Sequence, residues 1–144
     1  MTTQTYFIED LSTGMQASYS RVASREDIDQ FAEVSGDTNP LHLDEAYAAT
    51  TMFNGCIAHG MLSASYISKV LGTQLPGPGA IYLSQNLKFK APVRPGDQVD
   101  TQVEITDLDE TRRRVTVQCE CRVGETVVVA GEAQLLVPAR PAEG

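Results

Sequence analysis

The chain has no tryptophan, and only 6% of its 144 residues are aromatic, so it lacks the stacked ring platforms that single-stranded nucleic acids use. Positive charge is also scarce. Eleven Lys and Arg stand against 19 Asp and Glu, a formal net charge of −8, and such a field repels a polyphosphate partner at long range. Nucleic acid is therefore not an expected partner, although a small anionic ligand held by local cations stays possible. No run of roughly eighteen uncharged apolar residues occurs, and Met1–Asp10 has no basic region followed by an apolar stretch. These two absences lead to the expectation of a soluble protein with no membrane association and no export signal. Cys56, Cys119 and Cys121 are odd in number and lack zinc-knuckle spacing, which fits a reducing cytoplasmic compartment. There is no glycine-rich phosphate cradle and no serine in a nucleophile elbow.

What remains is ordinary globular composition, 42% hydrophobic and 21% charged. A chain of this length buries about two thirds of its unfolded surface, so residues 1–144 are expected to form one domain, with 138–144 as a frayed tail. Ser24 reads as an N-cap, with Asp27 in a capping-box position and Ile28, Phe31, Ala32 and Val34 as a helical stripe that stops at Gly36. From Gly36 to Leu43, Pro40 removes a donor and holds Asn39 extended, which predicts a stiff irregular loop. Asp44 can cap a short helix through Ala49. From Gly60 to Leu71, apolar residues occupy nearly every side of a helix, the pattern of a buried one.

After Pro76-Gly77-Pro78-Gly79 the period changes to two. Ala80–Phe89 reads as a strand, Val99, Thr101, Val103 and Ile105 share a face of a second, and Val115, Val117, Cys119, Cys121 and Val123 share a face of a third. Arg94–Asp97 reads as a turn, 107–111 as a hairpin loop and 126–137 as a last strand. A buried helix followed by strands is an α+β order, with a sheet wrapped round the helix to cover it on all sides.

Asp37 and His42 lie five residues apart in the loop Ser35-Gly36-Asp37-Thr38-Asn39-Pro40-Leu41-His42. A carboxylate and an imidazole aimed at one small space supply the acid and base that addition of water requires. Asn39 can bond the water or hold the loop. The bland alternative is a turn built from common turn formers with a structural histidine. His59-Gly60 opens the apolar helix, and there the amide of Gly60 is an unpaired donor at an electropositive end, suited to an oxygen that gains negative charge. A metal held by Asp37, His42 and His59 is the competing chemistry. It is disfavoured because the spacing matches no metal signature and the apolar helix suggests an acyl pocket.

Together, Ser35-Gly36-Asp37-Thr38-Asn39-Pro40-Leu41-His42 and Ile57-Ala58-His59-Gly60-Met61-Leu62 closely resemble the two signatures of the MaoC-like, (R)-specific enoyl-CoA hydratase family. The likeness continues through Leu75–Gly79, Ile81-Tyr82-Leu83, Lys88-Phe89 and Pro95-Gly96-Asp97. It implies a hot-dog fold, a curved antiparallel sheet round one long helix. It also implies that Asp37 and His42 activate water for addition to a trans-2-enoyl-CoA, giving the (R)-3-hydroxyacyl-CoA. In the same pattern Asn39 supports the loop, the Gly60 amide meets the thioester oxygen, and Ser68 and Leu71 lie near the acyl pocket. No metal or cofactor is implied beyond the coenzyme A of the substrate, and a homodimer is. Lys69, Lys88, Lys90 and Arg94 are candidates for the coenzyme A phosphates. The rival readings are a hot-dog thioesterase, an acyl-carrier-protein dehydratase and a non-catalytic acyl-CoA-binding module.

Overall fold

The structure is a computed structural model that describes residues 5–142. Among the described residues, five strands form one antiparallel sheet in the order β1-β3-β4-β5-β2: β1 Gln16–Val22, β2 Ile81–Phe89, β3 Gln98–Asp109, β4 Arg114–Val123 and β5 Thr126–Leu136. Helix α4, Gly60–Thr73, lies against the inner face of this sheet. The alternation read in the sequence is the inner face: Val99, Thr101, Val103 and Ile105 of β3 and Val115, Val117, Cys119 and Cys121 of β4 are all buried. All of these but Thr101 meet Leu62, Tyr66, Ile67, Val70 and Leu71 of α4 in one core. Burying each of these larger side chains contributes about 1.5–3 kcal/mol.

The helix is not covered on all sides as expected. Met61 is 56% exposed, and Ser65, Ser68 and Gly72 are open on the same side. Five strands cover only part of a helix's circumference, and small residues on the open side make that arrangement tolerable. A groove there is lined by Phe31, Met61, Ala64, Ser65 and Ser68 on the helical side and by Tyr82, Leu83 and Leu87 of the edge strand β2.

Three shorter helices prepare the site. Helix α1, Arg25–Ser35, begins at Ser24, whose hydroxyl accepts from the amide of Asp27, and ends at Gly36 in the left-handed conformation at φ 79°. Helix α2, Pro40–Leu43, occupies part of the stretch expected to be loop. Pro40 at its start is preset for helical φ, and Asn39 caps it by accepting from the amide of Leu41, so the two supposed breakers initiate a single turn. Helix α3, Glu45–Ala48, is capped by Asp44 as expected.

Two other expectations shift, and one strand is added. In strand β1 only Ala17 and Tyr19 turn toward the core and the remaining residues are exposed, an alternation too short to stand out. The β3–β4 turn falls at Glu110–Arg113, where Arg113 donates to the Glu110 carbonyl at 3.2 Å, later than the expected 107–111. Of the supposed tail, residues 138–142 are described and 138–140 are tied down: the Pro138 carbonyl accepts from Ile8, and Arg140 bonds Glu9 and Asp10. Residues 143–144 lie outside the described residues. None of the described helices is long and apolar enough to cross a membrane.

Candidate active site

Helix α1 delivers the chain through Gly36 to Asp37, where side chains bond the turn at each step. The Asp37 amide donates to Ser35 Oγ at 3.1 Å, the Asn39 amide donates to Asp37 Oδ1 at 3.2 Å, and the Leu41 amide donates to Asn39 Oδ1 at 3.0 Å. Asn39 therefore holds the loop, one of the two roles open to it. One turn later His42 is buried, and its Nδ1 stands 2.8 Å from the carbonyl of Ile57. A carbonyl only accepts, so Nδ1 carries the hydrogen, and Nε2 of the neutral ring is a free acceptor. Arg25 holds the other side of this turn by donating to the His42 carbonyl at 2.6 Å.

Asp37, His42 and His59 each offer an atom within 4.8 Å of the others. His42 and His59 are stacked, with ring centroids 3.9 Å apart and 29° between planes. Rings stacked this closely point their in-plane lone pairs alongside one another rather than at a common point, so the set fits a shared metal ion poorly and fits a carboxylate–imidazole pair well. His59 donates from Nε2 to the Asp37 carbonyl at 3.0 Å, and burial is the first cause that holds its pKa below 6.5. Because the folded state resists this proton while the unfolded state accepts it, His59 contributes stability above 6.5 that is lost as pH falls. Chemical denaturation at pH 7.5 and pH 5.5, each about one unit from the ordinary histidine value, should show lower stability at the acidic point. Equal stabilities would show that His59 makes no such contribution.

A cavity of about 560 Å³ opens beside the pair, lined by His42, His59 and Gly60 and walled by Phe53, Ile57, Met61, Phe89, Val93 and Val129. Asp37 stands next to it with an exposed carboxylate. Gly60 is the first residue of α4, so its N–H has no partner within the helix and lies at the positive end of the dipole. A methyl group on Gly60 would come 2.5 Å from the ring of Phe89, which is itself 55% exposed. The ring can swing away, but it lines the cavity, so the added methyl group and the displaced ring crowd the space beside Gly60. Gly60→Ala is therefore expected to fold normally and to lose activity by about tenfold through misplacement of the acyl group. Gly60→Ala/Phe89→Ala should regain most of the loss, and a double variant no better than the single one would rule out this crowding.

The structure brings Asp37, Asn39, His42 and Gly60 together and leaves Ser68 and Leu71 elsewhere. Ser68 opens into the groove along β2, and Leu71 is 0% exposed in the core; neither lines the cavity. Of the four candidate cations, Lys90 alone lines the cavity. Lys69 lies over the Tyr19 ring at 4.1 Å, Lys88 lines a shallow groove with Glu132, and Arg94 donates to the Phe53 and Gly55 carbonyls. Sequence reading missed Phe89 against Gly60 and the bond from His59 to Asp37. Both contacts join distant segments, and neither leaves a local pattern.

With fold and geometry in view, the comparisons with known proteins agree. The chain matches the MaoC like domain over residues 8–129 and belongs to that family, with its hot-dog fold. It is 53% identical over 135 residues to a Rhodospirillum rubrum protein named (R)-specific enoyl-CoA hydratase, covering 94% of each chain. It is 50% identical to the Methylorubrum extorquens 3-hydroxybutyryl-CoA dehydratase, covering 92% of this chain and 84% of that one. Among solved structures it resembles the (R)-hydratase from A. caviae involved in PHA biosynthesis, with a TM-score of 0.87 and 45% identity over 90% of this chain and 99% of that one.

Proposed function

We propose that the protein is an (R)-specific enoyl-CoA hydratase, a hydro-lyase that reversibly adds water to a trans-2-enoyl-CoA to give the (R)-3-hydroxyacyl-CoA. The observation that carries this reading is the exposed carboxylate of Asp37 within 4.8 Å of the buried imidazole of His42, beside an apolar cavity that also opens onto Gly60. Water held between Asp37 and the free Nε2 of His42 forms the new bond to C3 with its oxygen. The pair takes one of its protons and delivers a proton to C2, so atoms balance and no oxidant is needed. As the double bond is attacked, charge moves onto the thioester oxygen, and the position of Gly60 at the cavity and at the start of α4 supports its N–H as the donor to that oxygen. The R sense is supported by the relatives' names rather than by a feature of the cavity.

Coenzyme A enters only as part of the substrate, and the position of Lys90 at the cavity wall supports it as the cation that meets the phosphates. Activity should therefore survive exhaustive chelation. The open edge of β2, with Ile81, Tyr82 and Leu83 exposed on it, supports a homodimer joined along that strand. The three free, buried thiols support a reducing location such as the cytoplasm.

The test is loss of the enoyl absorbance of crotonyl-CoA with purified protein treated with EDTA, followed by chiral analysis of the product. An S product, free thiol without hydration, or activity that returns only with added metal would overturn the reading.

A further inference from the structure

His59 connects all three parts of the site, although a histidine before a helix reads as a cap. It makes no side-chain cap bond to α4. Its backbone carbonyl accepts from Leu62 at 3.0 Å to start the helix, which places the Gly60 amide as the next group in the chain. Its side chain, only 2% exposed, faces backward to the Asp37 loop and donates to the Asp37 carbonyl, 22 residues earlier. Its ring lies against His42 and against Phe31, whose centroid is 4.9 Å away.

We propose that His59 is a positioning residue for the hydration reaction: its Nε2–H anchors the loop that carries Asp37, and its ring fixes the plane of His42. This rests on the hydratase reading for the reaction that is positioned, whereas the geometry stands without it. The bond dictates one tautomer. Nε2 must carry the hydrogen because a carbonyl faces it, and Nδ1, buried and without a partner, is bare. Burial first, then the neighbouring His42 and the Arg25 guanidinium, disfavour a charge on the ring, while Asp37 opposes them. A neutral neighbour lets His42 take up a proton without a second cation stacked on it at 3.9 Å.

Two variants separate the anchor from simple packing. His59→Gln keeps an N–H donor at a reach close to that of Nε2 and loses the ring, whereas His59→Phe keeps a ring and loses the donor. His59→Phe should lower kcat for crotonyl-CoA by about thirtyfold with KM changed less than about threefold, since displacement of a reacting group acts on the chemical step. His59→Gln should recover at least about tenfold of that loss. Wild-type kcat in His59→Phe, a defect confined to KM, or a Gln variant no better than Phe would each overturn the proposal.

Nitrogen NMR of histidine-labelled wild-type protein does not depend on either variant folding. His59 should be the neutral Nε2–H tautomer at pH 7, and an Nδ1–H or charged ring there would sink the proposal. A wild type with this tautomer and no hydratase activity would instead indict the functional reading.

Discussion

Asp37→Asn and His42→Ala will each lower turnover of crotonyl-CoA by about a hundredfold or more, as loss of a general acid or base commonly does. That corresponds to about 2.7 kcal/mol of barrier for each hundredfold. The Asp37 change is isosteric on an exposed side chain, and an amide oxygen can still accept from the Asn39 amide, so the loop keeps its bonds. The His42 change removes more than a base, because it strips the Ile57 carbonyl of its donor and leaves a hole beside His59. His42→Asn separates these effects: its side-chain N–H can replace Nδ1 at the Ile57 carbonyl while nothing replaces Nε2. His42→Asn should be as inactive as His42→Ala and more stable. The double variant Asp37→Asn/His42→Ala should be little worse than the poorer single one, since residues that act as a unit are not additive. Near-parental turnover in Asp37→Asn would remove the carboxylate from the mechanism.

The largest expected effect on stability lies outside the site. Gly131 sits in the interior of β5, paired with Cys119 of β4 on one side and Leu87 of β2 on the other. A methyl group there would fall 1.8 Å from the backbone oxygen of Asn86 and 2.8 Å from its carbon. Unlike the Phe89 ring over Gly60, this obstacle is main chain within a hydrogen-bonded pair and cannot rotate away. Gly131→Ala should cost about 3 kcal/mol, the upper end of overpacking, and lower the melting temperature by about 10 °C for a chain of this size. Because β2 runs on into Lys90 and Ala91 of the cavity wall, activity should fall as well. A melting temperature within about 2 °C of the parent would show that β2 shifts at little cost.

Much of this protein is legible from order along the chain. The signals at Ser24, Gly36 and Asp44 act over three or four residues, and each marks a helix end in the structure. The two-residue period through Val99–Ile105 and Val115–Cys121 names the inner face of two strands, because a pleated strand can bury only alternate side chains. Local bonding also explains why Asp37 and His42 could be paired on sight: Ser35, Asn39 and Pro40 shape their loop within eight residues. What reads badly is a strand with few apolar positions and a turn of helix that opens on a proline. Strand β1 turns only Ala17 and Tyr19 toward the core, and α2 hides behind a proline that elsewhere ends helices.

The sequence by itself therefore determined the α+β order, the family and the pairing of Asp37 with His42 in one loop, since each depends on residues close together in the chain. Only the tertiary structure decided which other groups meet them. It turned Ser68 and Leu71 away from the cavity, set Phe89 over Gly60, left Lys90 alone of four cations at the cavity wall and brought His59 back to the Asp37 carbonyl. Each of these contacts joins segments separated by many residues, and packing between elements fixes them where no local preference can.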